Sequence, residues 1–344
     1  MKLQRSSPLI GTLSVALLIS GAVQADMFNR GNETSIVKGQ DEFSALTRNF
    51  LQAAMTAAQG TPQQAALSAT ESTIDYLLPS IGDDAPDWMK RIEFDWQLTE
   101  NNEPEFEILT VQPLWESDGL QDTFFTQIGY SRYELYGHER DTANLGLGYR
   151  RLLLDNTVLV GANAFFDYDF DFNHQRPSVG IEAKWAGLDF GANKYWGISS
   201  AHSKDDPDIR EQALDGHDLK IKAQVPFVPW ARVQGRRYWW DTEQAVNDIK
   251  GWELGVELDL IQNLRIDAGV SSDNTMTDRD ENEGYISFKF HMPLNRPVAL
   301  SKQAISSTPW LMRDMTDYRL DKVERENKII VERRSAGVVI TRGN

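Results

Sequence analysis

Polar and charged side chains recur at every second position in several stretches of the chain. Lys220 and Lys222 flank a single apolar residue, and Glu253 and Glu257 stand four positions apart in a similar run. Residues two apart in an extended strand point to the same side. Such rows can line a hydrated lumen, where their chemistry is ion pairing and hydrogen bonding, although ordinary solvated lumen residues would look the same. The candidate lumen-facing residues are Asn144, Arg150, Lys220, Lys222, Glu253, Glu257 and Lys289.

The sequence does not point to catalysis, a metal site or a cofactor. Its five histidines show no local pairing with a serine nucleophile, although a triad assembled across strands would leave no local signal. The segments 198–216 and 273–282 are rich in carboxylates, which suit calcium. They lack the spacing and the glycine of a calcium loop, so solvated acidic loops are the favoured interpretation.

A strand period of two begins near Arg91 and continues to Met292, which predicts an all-β chain. A soluble β-sandwich would also alternate, but many runs here reach the ~9–11 residues of a tilted membrane strand. An even strand number fits a single-chain barrel. We therefore expect a 12-stranded antiparallel outer-membrane β-barrel. The predicted strands are 91–98, 105–115, 123–133, 142–153, 157–168, 177–186, 188–197, 217–226, 230–240, 250–261, 264–272 and 283–293.

The predicted connections alternate between short and long. Segments 154–156, 187, 227–229 and 262–263 are tight turns, whereas 134–141, 169–176, 198–216, 241–249 and 273–282 are longer and polar. Short turns of bacterial barrels face the periplasm and long loops face outward. Both ends of the predicted barrel therefore face the periplasm.

The chain divides by pattern into four predicted segments. Met1–Ala25 has a basic start, an apolar core and small residues before a cleavage position, which indicates a signal peptide. Its apolar core is too short for a membrane anchor, which is the alternative. Residues 26–87 indicate a periplasmic helical segment, or else a partly disordered linker, 88–300 the barrel, and 301–344 a tail.

Composition limits the partners. With 35 basic and 51 acidic residues the net charge is −16, which argues against nucleic acid, and the absence of cysteine excludes disulfides. The expected partners are outer-membrane lipid and lipopolysaccharide, the barrel-assembly machinery and periplasmic chaperones. A passenger or host ligand is not identified by the sequence.

Several motifs resemble the translocator barrels of intimin and invasin, the inverse autotransporters. They are Phe125–Tyr130, Arg140–Arg150, Gly161–Asp169 and the segment Tyr318–Glu332, which is similar to the family's linker after the barrel. The resemblance implies a linker that returns through the pore and displays a passenger outside. The candidate linker residues are Tyr318, Val323, Glu324, Arg325, Asn327 and Ile329.

The resemblance favours a translocator-type barrel that holds or exports its own short tail, and a link to surface adhesion. Residues 301–335 would fill the lumen, and the mixed charges of Asp321–Arg334 would meet the lumenal charges. We expect the usual immunoglobulin-like passenger to be missing, since few residues follow the linker. A passive pore and a loop-mediated adhesin or receptor are the alternatives.

Overall fold

The protein is described by a computed structural model over residues 91–99, 104–201, 203, 208–243, 245–261, 264–275, 282–291, 299, 304–310, 312–335 and 338–341. These residues belong to one compact unit, Asp87–Asn344. The predicted signal peptide (1–25) and helical segment (26–87) lie outside the described residues. No helix within the described ranges is long and apolar enough to cross a membrane.

Twelve antiparallel strands close into a barrel, in which the first strand pairs with the thirteenth from Glu93↔His291 to Thr99↔Tyr285. This confirms the predicted twelve-stranded antiparallel barrel. In chain order the described strands are β1 (Ile92–Thr99), β2 (Glu105–Glu116), β3 (Asp122–Leu135), β4 (His138–Leu153), β5 (Val158–Asp169), β6 (Gln175–Trp185), β7 (Leu188–Tyr195), β8 (Ile209–Ala213), β9 (Asp215–Val225), β10 (Val228–Asp241), β11 (Ile249–Ile261), β12 (Leu264–Asp273), β13 (Glu283–His291), β14 (Val331–Ser335) and β15 (Val338–Thr341). All of them except β8, β14 and β15 belong to the barrel.

The alternation in the sequence becomes two faces of the barrel wall. Leu145 and Leu147 on β4 are 56% and 58% exposed and point outward, whereas Asn144 and Arg150 on the same strand are buried inside. An apolar outer face needs lipid around it, and a polar inner face needs water or polar partners. The two faces therefore follow directly from the period of the strand.

The two ends of the barrel differ. Tight connections such as Leu154–Thr157 and the one at Phe227 define the end that we call the turn end, and the opposite end is the loop end. The prediction of a long loop at 134–141 is wrong. Strands β3 and β4 continue to Leu135 and His138, and Tyr136 and Gly137 form a two-residue turn with φ values of 55° and 75°. Positive φ at both positions matches the twist of a hairpin.

A second, three-stranded sheet lies at the loop end and was not predicted. Strand β8 falls inside the segment expected to be a solvated acidic loop, 198–216. It pairs with β14 of the tail from Ala213↔Val331 to Ile209↔Ser335, and β14 pairs with β15. The sequence could not reveal this sheet, because the pairing of β8 with β14 joins segments more than a hundred residues apart.

The tail after β13 first runs along the turn end. The Phe227 backbone N–H donates to Pro309 O at 3.1 Å, and the Met315 N–H donates to Asn156 O at 2.7 Å. A 3-10 turn, Met315–Tyr318, follows Asp314, whose side chain accepts from Thr316 N at 2.9 Å. The expectation that all of 301–335 fills the lumen is therefore corrected, because the described part of the tail before residue 319 covers the rim.

Candidate functional site in the lumen

The lumen is occupied by an extended stretch of the tail, Arg319–Ile330. It enters beside Glu116 near the turn end of β2 and leaves beside Leu214, whose N–H donates to Ile330 O at 2.9 Å. Between these points nearly every tail residue contacts the wall. The site is thus a polypeptide held inside a barrel, and its chemistry is recognition of that polypeptide.

An acidic wall formed by β1 and β2 receives the cationic side chains of the tail. A carboxylate faces each of three cations, spaced from the turn end to the loop end. The pairs are Glu116 with Arg319 (2.7 Å), Glu93 with Lys322 (2.5 Å) and Glu105 with Lys328.

A basic wall formed by β9 and β10 receives two acidic side chains of the tail, whereas the third, Asp321, binds Lys184 on β6 at 2.9 Å. Lys220 and Lys222 bind Glu324 at 2.9 and 2.5 Å, and Arg236 binds Glu326 at 2.8 Å. In the closed ring of strands, β2 and β9 stand on opposite sides. The resulting charge separation across the lumen directs the cations of the three pairs above to one wall, and Glu324 and Glu326 to the other, which restrains the rotation of the tail about its own axis.

The centre of the site is a buried cluster around Asp167 on β5. Arg325 of the tail binds both carboxylate oxygens, and Arg176 on β6 binds Oδ2 at 2.9 Å. Asn144 donates to Oδ1 at 2.7 Å. Buried charges are tolerated only when they are paired and hydrogen-bonded, so the tail arginine and the wall depend on each other.

An apolar pocket holds Val323. Its lining includes the rings of Phe125 and Phe165. These rings lie over the lumenal glycines of β4, because a Cβ added at Gly146 or Gly148 would come within 2.2 Å of them. The alternating glycines in this strand therefore make the space in which the rings, and through them the tail, are packed.

The structure divides the predicted lumen residues into two groups. Asn144, Arg150, Lys220 and Lys222 contact the tail directly. The other three predicted residues pair within the wall. Glu253 accepts from Tyr285 at 2.8 Å, Glu257 pairs with Lys222 at 2.7 Å, and Lys289 pairs with Asp267.

The predicted linker residues are spread over three settings. Tyr318 packs against Leu152 and Leu159 at the turn end, and Ile329 packs against Ala213 and Val331 at the loop end. The remaining four, Val323, Glu324, Arg325 and Asn327, lie in the lumen, where the Asn327 amide also donates to Glu107.

The sequence did not predict several of the residues that contact the tail. They are Glu93, Glu105, Glu107, Glu116, Gln127, Arg176, Lys184, Asn193, Tyr195 and Arg236. Glu105 and Glu107 carried a usable signal, because they alternate with apolar residues at the start of a predicted strand. Asp167 lies within the Gly161–Asp169 motif, but the sequence alone gives no role for it. Alternation gives the face of a residue, but not which lumenal residues reach the tail.

A buried polar cluster joins three segments at the loop end. Arg140 on β4 binds Glu211 on β8 at 2.5 Å and Asp169 at 3.2 Å, and all three side chains are fully buried. His174 Nδ1 lies 3.1 Å from Ser199 Oγ, and its Nε2 lies 3.9 Å from Glu211. Burial alone would raise the pKa of Glu211, but the nearby His174 ring and the Arg140 charge hold that pKa below its usual range.

The histidine, serine and glutamate in this cluster are residue types of hydrolase triads, which the sequence alone did not pair. The glutamate of this cluster, Glu211, is however bound by Arg140, and this ion pair anchors β8 to β4. The cluster therefore attaches β8, the partner of the emerging tail, to the barrel.

The emerging tail also holds a second loop. Both carboxylate oxygens of Glu332 on β14 accept backbone N–H groups, from Glu243 at 3.1 Å and from Ala245 at 2.7 Å. Glu332 is buried. The tail thus orders the β10–β11 connection as well as β8.

Within the described ranges no group of three or more acidic or histidine side chains is arranged to hold a metal ion. Parts of the acidic segments 198–216 and 273–282 lie outside those ranges. What the described site offers is complementary charge, apolar packing and hydrogen bonding to an extended chain.

Comparisons with known proteins agree with this geometry. The inverse autotransporter β-domain model matches residues 44–327. Invasin of Yersinia enterocolitica is 31% identical over 113 residues, which make up 33% of this chain and only 13% of that relative.

A solved structure from work on the in-meso crystallization of membrane proteins shows the same fold, with a TM-score of 0.55 and 22% identity, covering 71% of this chain and 98% of its own. The KdgM porin has a TM-score of 0.40 and 7% identity over 58% of this chain and 97% of its own, too distant to bear on function. Because the family model spans most of the sequence, the chain belongs to the inverse autotransporter β-domain family and is a β-barrel of the outer membrane.

Proposed function

We propose that this barrel is a translocator that holds its own C-terminal segment across the outer membrane and displays the residues after Arg334 outside. The observation that carries the proposal is the extended stretch Arg319–Ile330 inside the lumen, paired to both charged walls. A passive channel would not need a wall that matches a polypeptide charge by charge.

The direction of display follows from the two ends of the barrel. The turn end, with its short connections, faces the periplasm in bacterial barrels, and the loop end faces outward. The tail starts at the turn end, where Met315 binds Asn156, and forms β14 at the loop end. Its path therefore runs from the periplasm to the cell surface.

The absence of cysteine makes a direct test possible. Single substitutions Arg334→Cys at the loop end and Ser306→Cys at the turn end would be labelled with a membrane-impermeant maleimide on intact cells. We expect labelling of Arg334→Cys from outside, and labelling of Ser306→Cys only after the outer membrane is permeabilised.

Asp248→Cys, in the β10–β11 connection, is the matched control for a surface-exposed site. If Asp248→Cys is labelled on intact cells while Arg334→Cys is labelled only after permeabilisation, the tail does not reach the surface and the proposal fails.

A diffusion pore is the second candidate, because a cavity of about 210 Å³ remains beside the tail. Its lining includes Asp95, Glu107, Ser131 and Glu253, and tail residues Arg325–Val331 form its other side. High planar-bilayer conductance of the intact chain would favour the pore. Low conductance that rises when residues 319–344 are removed would favour the translocator with an occluding tail.

We further propose a link to surface adhesion, which rests on the likeness to a protein named invasin, of which the matched stretch is a small part. The loop-end sheet of β8, β14 and β15 is the surface that such an activity would use, either alone or as the base of a longer displayed segment.

A further inference from the structure

Polar contacts of two kinds hold the tail, and most of them come from different parts of the wall. The acidic and basic walls bind tail side chains, as described above. Strands β3, β4, β6 and β7 instead supply six side chains that bind the tail backbone. They are Gln127, Asn144, Arg150, Arg176, Asn193 and Tyr195.

We propose that these six side chains form a backbone track, which binds an extended polypeptide through its peptide groups and therefore accepts side chains other than those of this tail. The inference rests on the proposed translocator function and specifies its ligand class, an unfolded polypeptide of mixed sequence in the extended conformation.

The donors of the track are directed at carbonyl oxygens. Arg150 Nη1 donates to the carbonyls of Arg319 and Asp321 at 2.8 and 2.6 Å. Three further carbonyls are bound in the same way along the tail. The contacts are Asn193 to Glu324 O (3.0 Å), Arg176 to Glu326 O (2.8 Å) and Asn144 to Asn327 O (3.0 Å).

Two amide groups of the tail are bound as well. Val323 N donates to Gln127 Oε1, and Glu326 N donates to the Tyr195 hydroxyl, both at 2.8 Å. An extended segment forms no regular backbone hydrogen bonds within itself. Its buried peptide groups therefore need partners elsewhere in the protein. The track supplies those partners to carbonyl oxygens, which every residue carries, and to amide N–H groups, which every residue except proline carries.

The track is held in place by the wall itself. Glu182 binds the Arg150 guanidinium through two bonds of 2.7 and 3.0 Å. Asp167 binds Arg176 and Asn144, and Asp218 binds Asn193 and Tyr195. These supports are wall residues, and Glu182 and Asp218 hold their track residues through contacts within the wall, whereas Asp167 also binds Arg325 of the tail. Preorganised donors lose little conformational freedom on binding, which favours a site that accepts successive segments of a chain.

The test compares two variants of the full-length protein. The neutral-tail variant carries Lys322→Gln, Glu324→Gln, Glu326→Gln and Lys328→Gln, which removes the ion pairs of these four tail residues with the acidic and basic walls and leaves the backbone unchanged. The track variant carries Gln127→Ala, Asn144→Ala and Asn193→Ala, which removes three backbone contacts without changing any charge. Gln234→Ala, a lumenal amide that binds Tyr285 of the wall at 3.4 Å, is the matched control.

Two readouts are needed, which are planar-bilayer conductance of the purified proteins and outside labelling of Arg334→Cys introduced into each variant. We expect the neutral-tail variant to remain labelled from outside and to open clearly less often than the track variant, because Glu257 still pairs with Lys222 and Asp218 still pairs with Arg236. The track variant should open at least about tenfold more often than the parent, because each lost hydrogen bond weakens tail binding severalfold. Resistance to unfolding by SDS at room temperature confirms that each barrel is intact.

The inference is overturned if the neutral-tail variant opens as often as the track variant, or if the track variant stays as closed as the Gln234→Ala control. Failure of the proposed function has a different signature, in which the parent protein itself conducts freely and its Arg334→Cys form is not labelled on intact cells.

Discussion

Arg325 and Asp167 form a two-pronged ion pair between the tail and the barrel wall. Arg325 Nη1 lies 2.9 Å from Asp167 Oδ1, and Nη2 lies 2.6 Å from Oδ2. Both side chains are almost completely buried. Paired planar groups of this kind fix distance and orientation together, so this contact sets the register in which the tail sits in the lumen.

Asp167→Asn is expected to destabilise the threaded tail strongly. The substitution removes the charge that Arg325 and Arg176 share, and two buried guanidinium groups lose their main partner. Breaking a buried pair from one side costs about 3–5 kcal/mol. Urea unfolding should show a loss of this size in the free energy of unfolding, and bilayer recordings should show more frequent opening.

Asp241→Asn is the control for that substitution, since its partner Lys194 is 3.7 Å away and the carboxylate is more than half exposed. An exposed pair is worth about 1 kcal/mol or less. Equal losses for Asp167→Asn and Asp241→Asn would contradict a central role for the buried pair.

Gly148→Ala tests the space beneath the Val323 pocket. The added Cβ would lie 2.2 Å from the Phe125 ring, which must move and disturb the packing around Val323. Forced repacking of this kind costs about 1–3 kcal/mol. We expect a lower free energy of unfolding and an increase in tail opening.

Gly191→Ala is the matched substitution, because its Cβ would meet Glu324 O at an ordinary distance of 3.5 Å. It should behave like the parent protein. A Gly148→Ala barrel as stable and as closed as Gly191→Ala would show that the ring position is not needed.

Glu332→Gln should loosen the β10–β11 connection without opening the lumen. The amide retains one acceptor oxygen, whereas the carboxylate accepts from both Glu243 and Ala245. Limited proteolysis on intact cells should therefore cut between Thr242 and Asp248 faster in the variant, with unchanged bilayer conductance. Arg334→Gln on the same strand is the control. Equal proteolysis of Glu332→Gln and the parent would argue against coupling between the tail and this loop.

Acidification should release the loop-end sheet through Glu211. Because its pKa is lowered in the folded protein, the stabilisation is complete above the ordinary value of about 4.3 and is lost as the pH falls below it. The protection factors of β8 amides against hydrogen exchange should fall below about pH 4, while those of the β4–β5 ladder stay high. In Glu211→Gln the exchange should be fast already at neutral pH, and a parent-like pH step in that variant would contradict this assignment.

Much of the barrel could be predicted because membrane strands impose a local rule. The alternation around Leu145 and Leu147 required one lipid-facing and one lumenal side, and the twelve predicted strands match the barrel strands to within a few residues. The link at Tyr136–Gly137 was mistaken for a loop because its polar neighbours Glu134 and His138 resemble loop residues, although they continue the two strands.

The sequence predicted the type of contact that the tail makes, but not which wall residues make it. Mixed charges in Asp321–Arg334 suggested ion pairs, but Glu253, Glu257 and Lys289 bind other wall residues instead. Which lumenal residue meets the tail depends on the stagger of neighbouring strands and on the side along which the tail runs. Neither the stagger nor the path of the tail can be read from the alternation of apolar and polar residues within one strand.

By itself the sequence determined that this chain forms a closed barrel with a polar lumen, because alternation is a property of each strand that nearby residues set. Only the tertiary structure decided that the lumen offers an acidic wall, a basic wall and a set of backbone-binding side chains to Arg319–Ile330, and that β8 pairs with β14. Those features join residues distant in sequence, and they exist only after the barrel has closed around its own tail.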